Sequence, residues 1–249
     1  MLILLPPSET KRPGGAGAPL DLDALALPGL AAERHAAVDA LVALSSDEDE
    51  AARVLKLSPR QRGDIGANAA LRTAPTMPAA DRYTGVLFDA LDAGSLPTAA
   101  RRWLAAHVLI HSAPFGPVGA LDPIPAYRLA AGASLPGMPP LRRHWAQAVG
   151  AALREASPRF VLDLRSEAYA ALGPVPDDVP SAYVRVVTAS GRALNHFNKH
   201  AKGELVRSLA LSRPRIRGRE ALFRWASAEG LTLRHGRDDE IELVLPAGD

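Results

Sequence analysis

The chain contains no cysteine, and this absence removes whole classes of chemistry. Disulfides, zinc ribbons, Cys-ligated iron–sulfur clusters and thiol-based peroxide sensing are all excluded. Long apolar runs are missing too. No stretch of about 18 apolar residues is free of charge or proline, so nothing reads as a membrane span. Met1 to Leu5 is apolar but short, lacks a preceding basic region and meets Pro6 and Pro7 at once, unlike a secretory signal; a cytoplasmic location is expected. No Gly-Lys-Ser/Thr phosphate loop occurs, and Gly14-Gly15-Ala16-Gly17 lacks dinucleotide-fingerprint spacing. His111 and Ser112 adjoin, yet no nucleophile elbow surrounds the serine. His196 and His200 are four apart without the intervening Glu of a zinc protease, beside a repelling lysine. Neither a metal nor a cofactor is expected.

A strong overall charge is also lacking. The net charge is +2, too small to imply a nucleic-acid partner by itself. Its distribution says more. Between Tyr183 and His235 stand Arg185, Arg192, Lys199, Lys202, Arg207, Arg213, Arg215, Arg217, Arg219, Arg224 and Arg234, opposed by Glu204, Glu220 and Glu229. A second basic stretch comprises Arg53, Lys56, Arg60, Arg62 and Arg72, with Asp64 opposing. Segregation of this kind can build a positive face, or only a solvated surface. With 47% hydrophobic and 22% charged residues, composition is ordinary for a globular chain, and one domain over 1–249 is expected.

Met1 to Leu5 reads as a buried strand that opens into a Gly/Pro loop, Pro6 to Pro19. Helices are expected over Leu30 to Leu44 and Glu48 to Leu57. Ser58 is a good N-cap, with Pro59 at the first helical position, so the chain resumes helically through Gln61, Ile65, Asn68 and Leu71. Helices at Arg82 to Asp92 and Thr98 to His107 precede a strand, Val108 to His111. The loop Ala113 to Pro140 is too long for a mere connection, so it is functional or packed and irregular. Helices at Leu141 to Glu155, Ser166 to Leu172, Asn195 to Leu211 and Arg219 to Glu229 alternate with strands at Phe160 to Leu164 and Tyr183 to Thr188. A hairpin, Leu231 to His235 with Ile241 to Leu245, closes the chain. The expected architecture is α/β to α+β, a mixed twisted sheet flanked by helices.

Four constellations could carry chemistry. Pro6 to Lys11 follows the first strand, where an open sheet presents its ligand crevice. Asp163-Leu164-Arg165-Ser166-Glu167-x-Tyr169 follows another; an acid so placed needs a partner, and Arg165 or Lys11 could supply one. Asp163 and Glu167 are candidate acid/base groups, or Asp163 is a structural ion pair. On a helix, Asn195, Lys199 and Lys202 share a face, with Asn198 four residues before Lys202, and two ammonium groups suit a phosphate backbone. Around Leu57-Ser58-Pro59, the short helices of 48–72 with Lys56, Arg60 and Arg62 could hold a phosphate on backbone amides.

Taken together, several blocks resemble the YaaA family of bacterial peroxide-stress proteins. These are Met1 to Lys11, Tyr83-Thr84-Gly85, Phe115-Gly116, Leu121-Asp122, Tyr127-Arg128-Leu129, Trp145, Asp163 to Tyr169, and Asn198-Lys199-x-Ala201-Lys202-Gly203. The opening loop departs from the commoner Pro-Ala-Lys-Thr type. The resemblance implies resistance to peroxide by limiting iron-driven DNA damage, DNA binding with little sequence preference, a helix-hairpin-helix at 48–72 and a positive cleft. Lys11, Lys199 and Lys202 would line that cleft; Lys56, Ser58, Arg60, Arg62 and Asn68 would serve the hairpin, and Arg128, Arg165 and Asn198 would assist. A monomer is favoured. The rival expectation is an enzyme acting on a nucleotide, base or nucleic acid, with Asp163 or Glu167 as acid/base and lysines holding an anion.

Overall fold

The computed structural model describes residues 1–188, 190, 198–238 and 240–245. In chain order its elements are β1 (Leu2–Leu5), α1 (Ala31–Leu44), α2 (Glu48–Val54), α3 (Asp64–Ala69), β2 (Met77–Pro78), α4 (Ala79–Arg82), α5 (Val86–Leu91), α6 (Thr98–His107), β3 (Val108–Ser112), β4 (Gly116–Gly119) and β5 (Pro123–Ile124). They continue with α7 (Leu141–Ala156), β6 (Val161–Asp163), α8 (Glu167–Leu172), β7 (Ser181–Thr188), α9 (Asn198–Ser212), α10 (Arg219–Ala228), β8 (Thr232–His235) and β9 (Ile241–Leu245).

Seven strands form one mixed sheet in the order β4-β3-β1-β6-β7-β9-β8, with β2 and β5 paired apart. The five inner strands run parallel, and β4 and β8 close the two edges antiparallel. The run Leu2-Ile3-Leu4-Leu5 is apolar at every position because β1 is central and covered on both faces. Ile3 and Leu5 enter the main core, while Leu4 joins Leu109, Val161 and Val179 in a smaller cluster. The closing hairpin forms as expected and attaches through β9 to β7.

Several boundaries differ from the sequence reading. Ser58 opens only a 3-10 turn, Pro59–Gln61, and α3 begins at Asp64, so the helices α2 and α3 are joined by Leu55 to Gly63 and not by a tight turn. The helix expected from Arg82 to Asp92 is two short ones, because the chain extends at Tyr83, whose backbone bridges Lys11, and Gly85 takes φ +94. The segment 113–140 is packed and partly ordered: β4 pairs with β3, and β5 with β2. Two fully buried arginines anchor it. Arg34 donates to the carbonyls of Phe115 (2.9 Å) and Pro117 (2.9 Å) as well as Leu25, Ala26 and Leu27. Arg82 donates to Ile124 (3.0 and 3.1 Å), Arg12 and Pro75. Each guanidinium thus satisfies carbonyls that the irregular loops would otherwise bury unpaired.

Candidate functional site

Strand β6 stops at Asp163, opposite Tyr183, whereas β7 runs on to Thr188. Past that point β7 loses its neighbour on one side, leaving a notch at the carboxyl ends of β1 and β6. The chain leaves β1 to one side for β3 and to the other for β6, so this is also where the strand order reverses, the place where open α/β sheets hold ligands. A cleft of about 770 Å³ occupies it. Its walls are the loop Pro6 to Glu9, the stretch Thr84 to Phe88, Ser166 to Tyr169 from α8, Tyr183 to Val186 from β7, and Asn198, Lys199 and Lys202 from α9.

Lys202 is the central feature. It is 4% exposed, lies 5.4 Å from the Tyr183 ring centroid and, among the described residues, makes no hydrogen bond or ion pair. Burial chiefly lowers its pKa from 10.5 to about 8; Asp163 raises it and Arg185 lowers it further. A lysine is costly in this state unless an anion arrives to share the cavity. Asn198, one turn earlier, has its Oδ1 buried and without a partner among the described residues. Helix α9 comes this close because residue 203 is glycine: a Cβ there would meet the Leu87 carbonyl oxygen at 2.2 Å. Lys199 is exposed on the rim.

The acids around the cleft are held. Glu167 pairs with Arg185 at 3.2 Å, and Arg185 also reaches Glu240 at 2.5 Å. Glu9 pairs with Arg128 at 3.1 Å, and Asp64 stands 4.0 Å from the same arginine. On the opposite wall, Ser8, Thr10 and Thr84 link hydroxyls at 3.2 and 3.0 Å. Residue 85 is glycine where a Cβ would lie 3.4 Å from Ser8 Oγ.

Asp163 lies beneath the cleft and outside its lining. Arg165 answers it, as one of the two expected partners, with Nε–Oδ1 at 2.9 Å and Nη2–Oδ2 at 2.7 Å. The same guanidinium donates to Gly173 O and to His111 Nδ1, both at 2.8 Å. His111 is fully buried, and burial followed by the Arg165 charge pushes its pKa well below 6.5, keeping the ring neutral.

Arg165 is therefore fully buried and cannot touch a nucleic acid, which corrects that expectation. Asn68 is likewise fully buried: its amide donates to Arg128 O at 2.9 Å and accepts from Arg128 N at 2.7 Å. Lys11 does not line the cleft. Its ammonium sits under the opening loop, donating to Ser8 O (3.0 Å) and Glu9 O (3.2 Å) over the Tyr127 ring at 3.9 Å. Burial, then Arg128, lowers its pKa to about 7. At the α2–α3 connection, Lys56, Ser58, Arg60 and Arg62 are all exposed. Arg62 pairs with Asp49 and Arg53 with Glu50, while the Ser58 N–H is taken by Gln61 Oε1 at 3.0 Å. Arg192, Asn195 and His196 fall outside the described residues.

The sequence reading missed Tyr183 and Arg185 as cleft residues. Both lie on one face of β7, Tyr183 opposite the last residue of β6 and Arg185 past its end, and only the register of the sheet reveals that. Among the described residues, no helix is long and apolar enough to cross a membrane. No cluster of three or more His, Asp or Glu there could hold a metal ion.

Comparison with known proteins places these features in a wider set. The family model described as peroxide stress protein YaaA matches residues 1–235. A UPF0246 protein of Corynebacterium glutamicum is 43% identical over 250 residues, covering 98% of this chain and 99% of its own. One from Corynebacterium efficiens is 45% identical over 255 residues, covering 98% and 100%. A third, from Streptomyces coelicolor, is 47% identical over 214 residues, covering 84% and 82%.

Proposed function

Because the chain belongs to the YaaA family of peroxide stress proteins, designated UPF0246 among its curated relatives, we propose that it protects DNA during peroxide stress by holding it at the carboxyl-edge cleft. Limiting iron-driven oxidation of the bound DNA is the protective step in this reading. The observation that carries it is Lys202, a buried ammonium that makes no ion pair or hydrogen bond among the described residues and feels Asp163 only at longer range, facing a cavity at the sheet's switch point. A phosphate supplies the missing anion, Lys199 extends the charge to the rim, and Asn198 offers a buried acceptor. At about 770 Å³ the cleft takes one nucleotide unit of a strand and not a duplex. The connection between α2 and α3, where Lys56 and Arg60 are exposed, adds backbone contacts in this reading.

Fluorescence anisotropy of labelled single-stranded, double-stranded and bubble DNA at several salt concentrations tests this reading against Lys199→Ala/Lys202→Ala. The native protein is expected to lose affinity steeply as salt rises. It should also weaken as pH climbs through about 8, where free Lys202 gives up its proton. Equal, salt-insensitive binding by both proteins would refute it.

A second reading is favoured by the same lysine: its pKa of about 8 suits proton transfer near neutrality, and Glu167 stands in the same cleft. The protein would then act on a nucleotide, base or nucleic acid. Glu167→Gln separates the two, since turnover of a nucleotide panel followed by chromatography would vanish while DNA affinity stays.

A further inference from the structure

The free positive charge of this protein is not mainly in the cleft. Of the basic residues between Tyr183 and His235, Arg185 is paired with Glu167 and Glu240, Arg207 with Asp92 and Arg234 with Glu242. Arg213, Arg215 and Arg217 are exposed and, among the described residues, their side chains make no hydrogen bond or ion pair. They stand at alternate positions in the segment that leaves α9, where Arg213 takes φ +51, and Ile216, between Arg215 and Arg217, is buried at 5% exposure, pinning the segment to the core.

These arginines join Arg159, equally unpaired, and His107 around a shallow cavity of about 400 Å³ whose described lining contains no acid. Trp103 also lines it, stacked on His107 with centroids 4.3 Å apart. His107 immediately precedes β3, and Arg159 lies just before β6. The cavity thus sits at the amino edge of the parallel strands, with the four residues of β1, roughly 13 Å of sheet, between it and the cleft.

We propose that Arg159, Arg213, Arg215 and Arg217 form a second, separate docking surface for a nucleic-acid phosphate backbone, at the edge of the sheet opposite the cleft. The surface rests on the reading that nucleic acid is the partner, but not on the cleft being where it binds. Arginine is suited to the task because its planar fork meets phosphate oxygens two at a time. No base-reading groove is built there, so recognition is independent of sequence. A strand or duplex held at this edge leaves the cleft free to receive a nucleotide from another segment.

The test is anisotropy titration of a labelled 20-mer, single- and double-stranded, from low to physiological salt, with the full chain. Arg213→Gln/Arg215→Gln/Arg217→Gln is expected to lose at least tenfold in affinity at low salt and to flatten the log–log salt slope by about two to three. Arg213→Lys/Arg215→Lys/Arg217→Lys keeps most of the slope, which separates lost charge from lost folding. Lys199→Ala/Lys202→Ala weakens binding as the cleft reading requires, but keeps the part of the slope that the arginines supply. Unchanged affinity and slope in the glutamine variant overturn the proposal. If Lys199→Ala/Lys202→Ala alone abolishes binding, the cleft reading stands and this one falls; if the native protein binds no DNA, both fall. Charge-dependent binding to vesicles of phosphatidylserine, with none to DNA, also overturns it.

Discussion

Replacing Lys202 by methionine should make the protein more stable. In the folded chain burial brings this lysine from 10.5 to about 8, a difference corresponding to about 3 kcal/mol at 1.36 kcal/mol per pH unit. The sign follows from which state holds the proton. Below pH 8 the lysine is charged in both states, so the folded chain carries the whole penalty of burying it. Between 8 and 10.5 only the unfolded chain binds the proton, and folded-state stability climbs with pH; above 10.5 the penalty is gone. Methionine keeps the length and removes the charge, so the gain over the native protein at pH 7 is about 3 kcal/mol, or roughly 6–12 °C in melting temperature. Urea unfolding of both proteins from pH 7 to 10.5 measures it, and groups common to the two cancel in the difference. The advantage should shrink steadily across that window. A methionine variant less stable than the native protein at pH 7, or a constant difference, would refute the account of Lys202 as an uncompensated buried cation. Loss of DNA binding in the same variant would mark the lysine as retained for function at the expense of stability.

Asp163→Asn breaks the buried pair with Arg165 and leaves a guanidinium without its counter-charge. Chemical denaturation should show a loss of about 3–5 kcal/mol, partly recovered in Asp163→Asn/Arg165→Met. Gly203→Ala would gain stability on a solvent-facing helix, but here the Cβ meets Leu87 O at 2.2 Å and Ala90 Cβ at 2.8 Å. A loss of about 1–3 kcal/mol, with weaker DNA binding as α9 carries Lys202 away, is the expected result in melting and anisotropy experiments; a stabilised variant contradicts it. Arg82→Met leaves the Ile124, Arg12 and Pro75 carbonyls short of a donor. It should cost about 2–4 kcal/mol by thermal melting and open 113–140 to limited proteolysis.

Elements whose residues announce burial were legible in the sequence. Continuous apolar runs revealed β1, β3 and β6, an apolar stretch broken by Arg185 revealed β7, and turn residues between two runs revealed the closing hairpin. Strand β4 was hidden because Gly116-Pro117-Val118-Gly119 has the composition of a turn; it is a strand only because β3 offers it a partner. Arg165 misled for a related reason. An isolated Arg reads as surface, and what buries it, like Arg34 and Arg82, is a set of distant carbonyls, with a carboxylate only for Arg165, that sequence does not bring together. Lys202 could have been placed better. It falls three and four residues before Leu205 and Val206 and seven before Leu209, all buried, so helical spacing alone sets it on the inward face. The wrong inference for Lys11 had no such remedy, since its position depends on the extended Tyr83 beside it.

The place of β1 in the sheet also governs how the chain is made. Its partners are β3 and β6, which begin at Val108 and Val161. At a ribosomal pace of about 5–20 residues per second, the Leu-Ile-Leu-Leu strand waits some 5–20 seconds for the first and roughly 8–30 seconds for the second. Both its edges are open to any other extended chain until β3 emerges, and one stays open until β6 does. Vectorial synthesis therefore leaves the future centre of the molecule as its most adhesive segment. Yield in the cell should depend less on the final stability than on chaperone cover during translation.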